Sequence, residues 1–154
     1  MAFGEALKAN DWSAAARLMH PSALHQLREL FEPLTGAPRA GDIATQLFGV
    51  SSAAELATTP DTVLFARFLQ TVLSQQAGVA EMFRSASLTP LGHVNQPGDT
   101  VFVVSRMTMT VEGITVTSFD VMPFLLYQGA YRGLLKADFT NFAAMLQARL
   151  GKRS

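Results

Sequence analysis

The chain contains no cysteine in its 154 residues. Disulfides, thiolate nucleophiles and cysteine-based metal sites are therefore excluded. Charge is also scarce: 16% of residues are charged, where an average soluble domain has about 25%. Net charge is zero, with 12 Lys+Arg against 12 Asp+Glu. Nucleic acid is not an expected partner, because its recognition favours a basic patch. Lys152-Arg153 is the only adjacent basic pair. No run approaches the roughly 18 apolar residues of a membrane span. Met1-Ala2-Phe3-Gly4-Glu5 lacks the basic region and long apolar run of a signal peptide. A soluble, cytoplasmic chain with no membrane partner is the expectation.

What is present divides in two. Ala, Leu and Gln fill the first half, and Val, Thr and Phe fill the stretch from Phe83 to Leu135. Segregated helices and strands point to an α+β fold, with helices stacked on one antiparallel sheet. A single domain over 1–154 is expected, with a helical part at 1–78, a sheet at 83–136 and a C-terminal helix at 139–150. Phe3 and Leu7, then Ala15, Leu18 and Met19, fit helical spacing on either side of Asn10-Asp11. Asp11 suits the N-cap of a second short helix starting near Trp12. His20-Pro21-Ser22 ends that helix, and Pro21 fits the first turn of the next. Leu24, Leu27, Leu30, Phe31 and Leu34 form its apolar stripe. Thr35-Gly36-Ala37-Pro38 is a breaker, and a short helix follows over Asp42–Phe48. Pro60-Asp61 opens the longest helix, with Val63, Phe65, Phe68, Leu69 and Val72 inward and an end near Gly78.

Four strands are predicted: Phe83–Gln96, Thr100–Glu112, Ile114–Gln128 and Tyr131–Lys136. Pro90 and Gly92 suggest a bulge or an edge position in the first. Pro97-Gly98, Gly113 and Gly129-Ala130 mark the turns. Asp138 suits the cap of a final helix bearing Phe139, Phe142, Met145, Leu146 and Leu150. A two-residue loop at Glu112-Gly113 would set Val111 opposite Ile114. One face, termed inner, then carries Val101, Val103, Ser105, Met107, Met109 and Val111. Across from them lie Ile114, Val116, Ser118, Asp120, Met122, Phe124 and Leu126. Tyr131, Gly133 and Leu135 would join from the fourth strand. A two-residue Pro97-Gly98 loop would add Arg84, Ala86, Leu88 and Val94, and would put His93 on the outer face beside Phe102. The outer face carries Phe102, Val104, Arg106, Thr108, Thr110, Thr115, Thr117, Phe119, Val121, Leu125 and Tyr127.

Between Ala86 and Ala130 only four residues are charged, Asp99, Arg106, Glu112 and Asp120, and the first and third sit at turns. A sheet wet on one side alternates apolar with polar. This one does not, so both faces are expected to be covered. Helices would cover the inner face. A second subunit is the economical cover for the outer one, as a twofold homodimer through Phe102, Val104, Arg106, Thr108 and Phe119.

Several stretches resemble the NTF2-like superfamily, the cone-shaped α+β fold shared with ketosteroid isomerases and SnoaL-like cyclases. They are Asn10-Asp11-Trp12-Ser13 followed by Met19-His20-Pro21, and the closing run from Gly92-His93-Val94 to Tyr131-Arg132-Gly133-Leu134-Leu135. The segment Thr35–Thr59 looks like an addition to the minimal fold. The resemblance implies a pocket between a curved sheet and the helices, and frequent dimerisation through the sheet. It implies no single function. The isomerase branch uses a carboxylate base and an oxyanion hole of Tyr plus protonated Asp, a set that this sequence does not place residue by residue.

Asp120 is the weak catalytic candidate. The inner face would take it partly out of water opposite Ser105, and a partly desolvated carboxyl suits general acid–base work. The plainer reading is a structural Asp bonded to Ser105, Ser118 or a helix N-terminus. Met107, Met109, Met122 and Phe124 would line a lipophilic pocket or fill core, and Tyr131 would offer a phenol. Ser105, Met107, Met109, Asp120, Met122, Phe124 and Tyr131 are thus the candidate pocket. His20 and His25 lie five apart and match no metal motif, so no metal is expected. No Gly-x-Ser-x-Gly, phosphate loop or dinucleotide fingerprint occurs, so no cofactor is expected either. The expected role is binding of a small apolar or amphipathic ligand, or an interaction module. A cofactor-free isomerase, cyclase or hydrolase using Asp120 is the alternative.

Overall fold

The computed structural model of the chain describes residues 2–32, 40–74, 84–111, 113–137 and 139–141. The order is six helices and then four strands: α1 (Ala2–Lys8), α2 (Trp12–Arg17), α3 (Pro21–Phe31), α4 (Ala40–Phe48), α5 (Ala53–Thr58), α6 (Asp61–Ser74), β1 (Ser87–Gln96), β2 (Thr100–Val111), β3 (Ile114–Tyr127) and β4 (Ala130–Gly133). The fold is α+β with an open antiparallel sheet, and each strand pairs with its sequence neighbour in the order β1-β2-β3-β4.

Local chemistry sets the helix ends. Asp11 caps α2 by accepting from the Ala14 N–H at 2.8 Å. Pro21 opens α3, and the His20 imidazole serves as its cap, Nδ1 accepting from the Ser22 N–H at 3.1 Å. α4 ends where Gly49 takes φ +61° and its N–H reaches the Thr45 carbonyl, a left-handed stop that glycine adopts without strain. α5 is a helix the apolar pattern does not announce. Ser52 caps it, its Oγ accepting from the Glu55 N–H, while Glu55 reaches back to Ser51.

The core is helical. Met19, Ala16 of α2, four residues of α3, Phe48, Val50, Leu56 and Leu64, Phe65 and Phe68 of α6 form one buried cluster. Phe68 sits at its aromatic centre, with ring centroids 5.5–6.0 Å from those of Phe31, Phe48 and Phe139, and Phe31 on Phe48 at 5.4 Å closes the group. The α3 stripe is as read from the sequence, apart from Leu34, which lies outside the described residues. On α6 the inward residue is Leu64 rather than Val63, which is exposed. The segment read as an addition supplies Phe48, Val50 and Leu56, so it is integral to the core. The α6 end near Gly78 and the apolar face of the final helix beyond Phe139 lie outside the described residues.

The β2–β3 register is the expected one, from Val111↔Ile114 to Thr100↔Leu125, with Ser105 opposite Asp120. The β1–β2 register differs. Gln96 pairs with Thr100, so Pro97-Gly98-Asp99 is a three-residue loop, with Gly98 at φ +85° and Asp99 at φ +59°. Leu91 is then skipped as a bulge, and Leu88↔Met107 returns to the two-residue phase. Val94 therefore sits beside Phe102 on the outer face, and His93 beside Val103 on the inner one, the reverse of the expectation. Arg84 and Ala86 precede the strand, which starts at Ser87. Gln128 (φ +50°) and Gly129 (φ +79°) form the β3–β4 turn, both left-handed as a tight twisted hairpin requires. β4 stops at Gly133, earlier than Lys136, because Gly133 turns its backbone to the helices: its N–H donates to Leu18 O, and its carbonyl accepts from His20 N–H.

Candidate functional site

The expectation that helices stack on the inner face meets a different arrangement. The buried cluster contains no strand residue. Among the described strand side chains Ser105 is the buried one, at 0% exposure. The inner face is half-buried along Val101, Val103, Met107, Met109, Met122 and Phe124 and opens at Ile114, Val116 and Leu126. Leu134, Leu135 and Phe139, just beyond β4, pack on the helical cluster instead.

Within the inner face, Ser105 and Asp120 face each other across β2 and β3 as the hairpin geometry predicts. Asp120 Oδ1 accepts from Lys136 Nζ, and no hydrogen bond joins it to Ser105 or Ser118 among the described residues. The partner missed from the sequence is Lys136, on the irregular stretch after β4. The Asp120 and Lys136 side chains retain 23% and 34% exposure, so the pair is partly shielded from water. Ser105 Oγ is buried without a hydrogen-bond partner. Such a group costs about 1–3 kcal/mol unless something supplies the missing bond. Tyr131 pairs with Leu126 on this face but is exposed, at the sheet edge away from Ser105.

The outer face is the more open one. Register places Val94, Phe102 and Pro123 in one row, then Gly92, Val104 and Val121, then Thr89, Arg106 and Phe119. Phe119 is 70% exposed and Val121 48%. The corrected register adds Val94 to this band, and Val94 is exposed too. Arg106 is the exposed cation beside Phe119. Arg132, on the same face, turns to the Arg17 carbonyl.

A cavity of about 340 Å³ lies elsewhere, between α2 and α6. Trp12, Ser13, Arg17, Thr62, Arg67 and Gln70 line it, and none of the inner-face candidates does. The expected inward turn of Val63 hides its α6 wall in the sequence; in the structure Thr62, Val63, Ala66, Arg67 and Gln70 recur along α6 on the side opposite Leu64, Phe65 and Phe68. No three His, Asp or Glu side chains among the described residues are grouped to hold a metal ion. No described helix is long and apolar enough to cross a membrane. No protein-family model matches the chain, and neither a curated protein nor a solved structure matches it.

Proposed function

We propose that this protein is an interaction module of the NTF2-like type that pairs with a second copy of itself through the outer sheet face. The observation that carries the reading is Phe119, a large apolar side chain 70% exposed at one end of a band that also holds Val94, Phe102, Val104 and Val121. A contiguous apolar patch of this kind favours burial against a partner. The face carries little charge to keep it in water, and a twofold axis running along the strands between β2 and β3 would set Arg106 over the partner subunit's Phe119, a cation–π contact repeated twice by symmetry. The helices-then-meander order supports the NTF2-like assignment, and zero net charge without a basic patch supports a protein with no nucleic-acid partner.

Sedimentation velocity across a wide concentration range tests the reading. The parent chain is expected to sediment as a dimer and Phe119→Glu as a monomer with an unchanged circular dichroism spectrum. A parent chain that stays monomeric throughout rejects it.

A second reading rests on Ser105. Its unpartnered hydroxyl, opposite Asp120 of the Asp120–Lys136 pair and on the same face as Met107 and Met122, would suit the polar end of a small amphipathic ligand. Native mass spectrometry of the purified protein tests this reading: a co-purified mass supports it, and a bare chain at both low and high loading rejects it. Acid–base catalysis through Asp120 is less well supported, because Lys136 already engages the carboxylate.

A further inference from the structure

We infer that the cleft between α2 and α6 binds a small aromatic carboxylate, a site separate from both faces of the sheet. Its wall carries two guanidinium groups, Arg17 and Arg67, and no acidic residue. Arg17 ends α2 and is exposed, and its guanidinium meets no acceptor among the described residues. Arg132 donates to the Arg17 carbonyl, which ties this end of the wall to β4.

Arg67 is engaged only loosely. Its Nη1 stands 3.8 Å from Glu55 Oε1, beyond hydrogen-bond reach. That nitrogen is buried and has no hydrogen-bond partner. Glu55 gives its other oxygen to the Ser51 N–H and hydroxyl, at 2.8 and 2.7 Å. The Arg67 side chain nonetheless keeps 40% exposure and lines the cleft, so the loose Glu55 contact does not withdraw its charge from an added anion.

The remaining lining states what kind of anion fits. Ser13, Thr62 and Gln70 add neutral hydrogen-bonding groups. Trp12 adds a flat aromatic wall, and Val63 and Ala66 an apolar one. A guanidinium fork matches a carboxylate in two parallel hydrogen bonds, and both a guanidinium and an indole stack on an aromatic ring. The cavity, about 340 Å³, lies at the small end of the ligand-pocket range of about 300–1,000 Å³. A one-ring acid fits that space better than a nucleotide or a peptide.

Trp12 is the only tryptophan in the sequence, so its emission reports on the cleft directly. The full chain is titrated with benzoate, with benzamide as the uncharged equivalent and with inorganic phosphate as an anion lacking a ring. The expected result is a saturable change with benzoate, with affinity about tenfold weaker for benzamide and for phosphate, a loss of about 1.4 kcal/mol each. Arg17→Gln, at an exposed position, is expected to weaken benzoate about fivefold with an unchanged melting curve. Arg67→Gln tests the opposite wall in the same way. The absence of a saturable change with benzoate overturns the inference. An equal response to benzamide removes the role of charge, and an equal response to phosphate removes the role of the ring; either overturns it. Parental affinity in both arginine variants does so too. The dimer test is independent, since Phe119 is remote from the titrated tryptophan in sequence and in element.

Discussion

Arg28 of α3 donates through Nε to Asp61 Oδ1 at the start of α6, and the same guanidinium reaches the Leu56 and Thr59 carbonyls at the end of α5. One side chain thus joins three helices and satisfies two carbonyls that a helix end leaves open. The side chain is mostly shielded, at 15% exposure. Arg28→Ala strands a carboxylate and two carbonyls together, so the expected loss is about 2–3 kcal/mol. Arg28→Lys retains the charge without the planar fork and is expected to recover less than half of it. Urea denaturation of the two variants measures both values, and an Arg28→Ala loss within error of zero refutes the account.

Gly133 is the tight point between sheet and helices. A Cβ built there lies 3.1 Å from Met19 Sδ, closer than ordinary contact. Gly133→Val is expected to cost about 1–3 kcal/mol through overpacking. In a Met19→Ala background that penalty should shrink by more than half, because the atom in the way is gone. A double-mutant cycle with no coupling would place the strain elsewhere.

Glu55 sets an acid limit. The Ser51 backbone N–H, then its hydroxyl, and then Arg67 favour the ionised carboxylate and hold it below its ordinary value of 4.5. A carboxyl with a lower pKa in the folded state than in the unfolded one adds stability that is fully present above the unfolded value. That increment is lost as pH falls through the folded value. Relative to Glu55→Gln, the parent should be the more stable at neutral pH. The difference should fade below about pH 4.5. A gap between the two melting curves that is constant with pH would contradict this.

The Asp120–Lys136 pair joins the sheet to the segment that returns to the helical core. Asp120→Ala and Lys136→Ala should each cost about 1–2 kcal/mol, with a coupling of about 1 kcal/mol, since the pair is only partly shielded. Ser105→Ala removes a hydroxyl with no partner and is expected to fall within about 0.5 kcal/mol of the parent, or to stabilise. A Ser105→Ala loss above about 2 kcal/mol would show that the hydroxyl is engaged in solution.

Much of this was legible residue by residue. Asp11 and Pro21 announce their helices through caps that act within three or four residues. Val111 and Ile114 fix the long hairpin because a tight turn leaves one register. The upper part of β1 was not legible in the same way. Pro97-Gly98-Asp99 closes equally well as two residues or three, and Asp99 in the left-handed region decides for three. The bulge at Leu91 then undoes the shift, so a one-residue change moves Val94 and His93 but not Leu88. Lys136 was missed because the predicted fourth strand runs on to it and alternation turns it away from the inner face, whereas β4 stops at Gly133. The cleft was missed because Trp12 and Arg67 are brought together by the packing of α2 on α6, and Val63 in that stripe resembles a core residue.

The strand order β1-β2-β3-β4, with no crossover, has a kinetic consequence. Each hairpin closes through a turn of a few residues, and the core helices are neighbours in sequence, so early pairings need little loop closure. The Met19↔Gly133 bridge belongs to a different set of contacts, with Arg132 on Arg17 and Phe139 on Phe68, that joins distant parts of the chain. It is the contact expected to form after the rate-limiting step. Met19→Ala should therefore accelerate unfolding and leave refolding nearly unchanged. A refolding rate that falls in step with stability would place this closure in the nucleus instead.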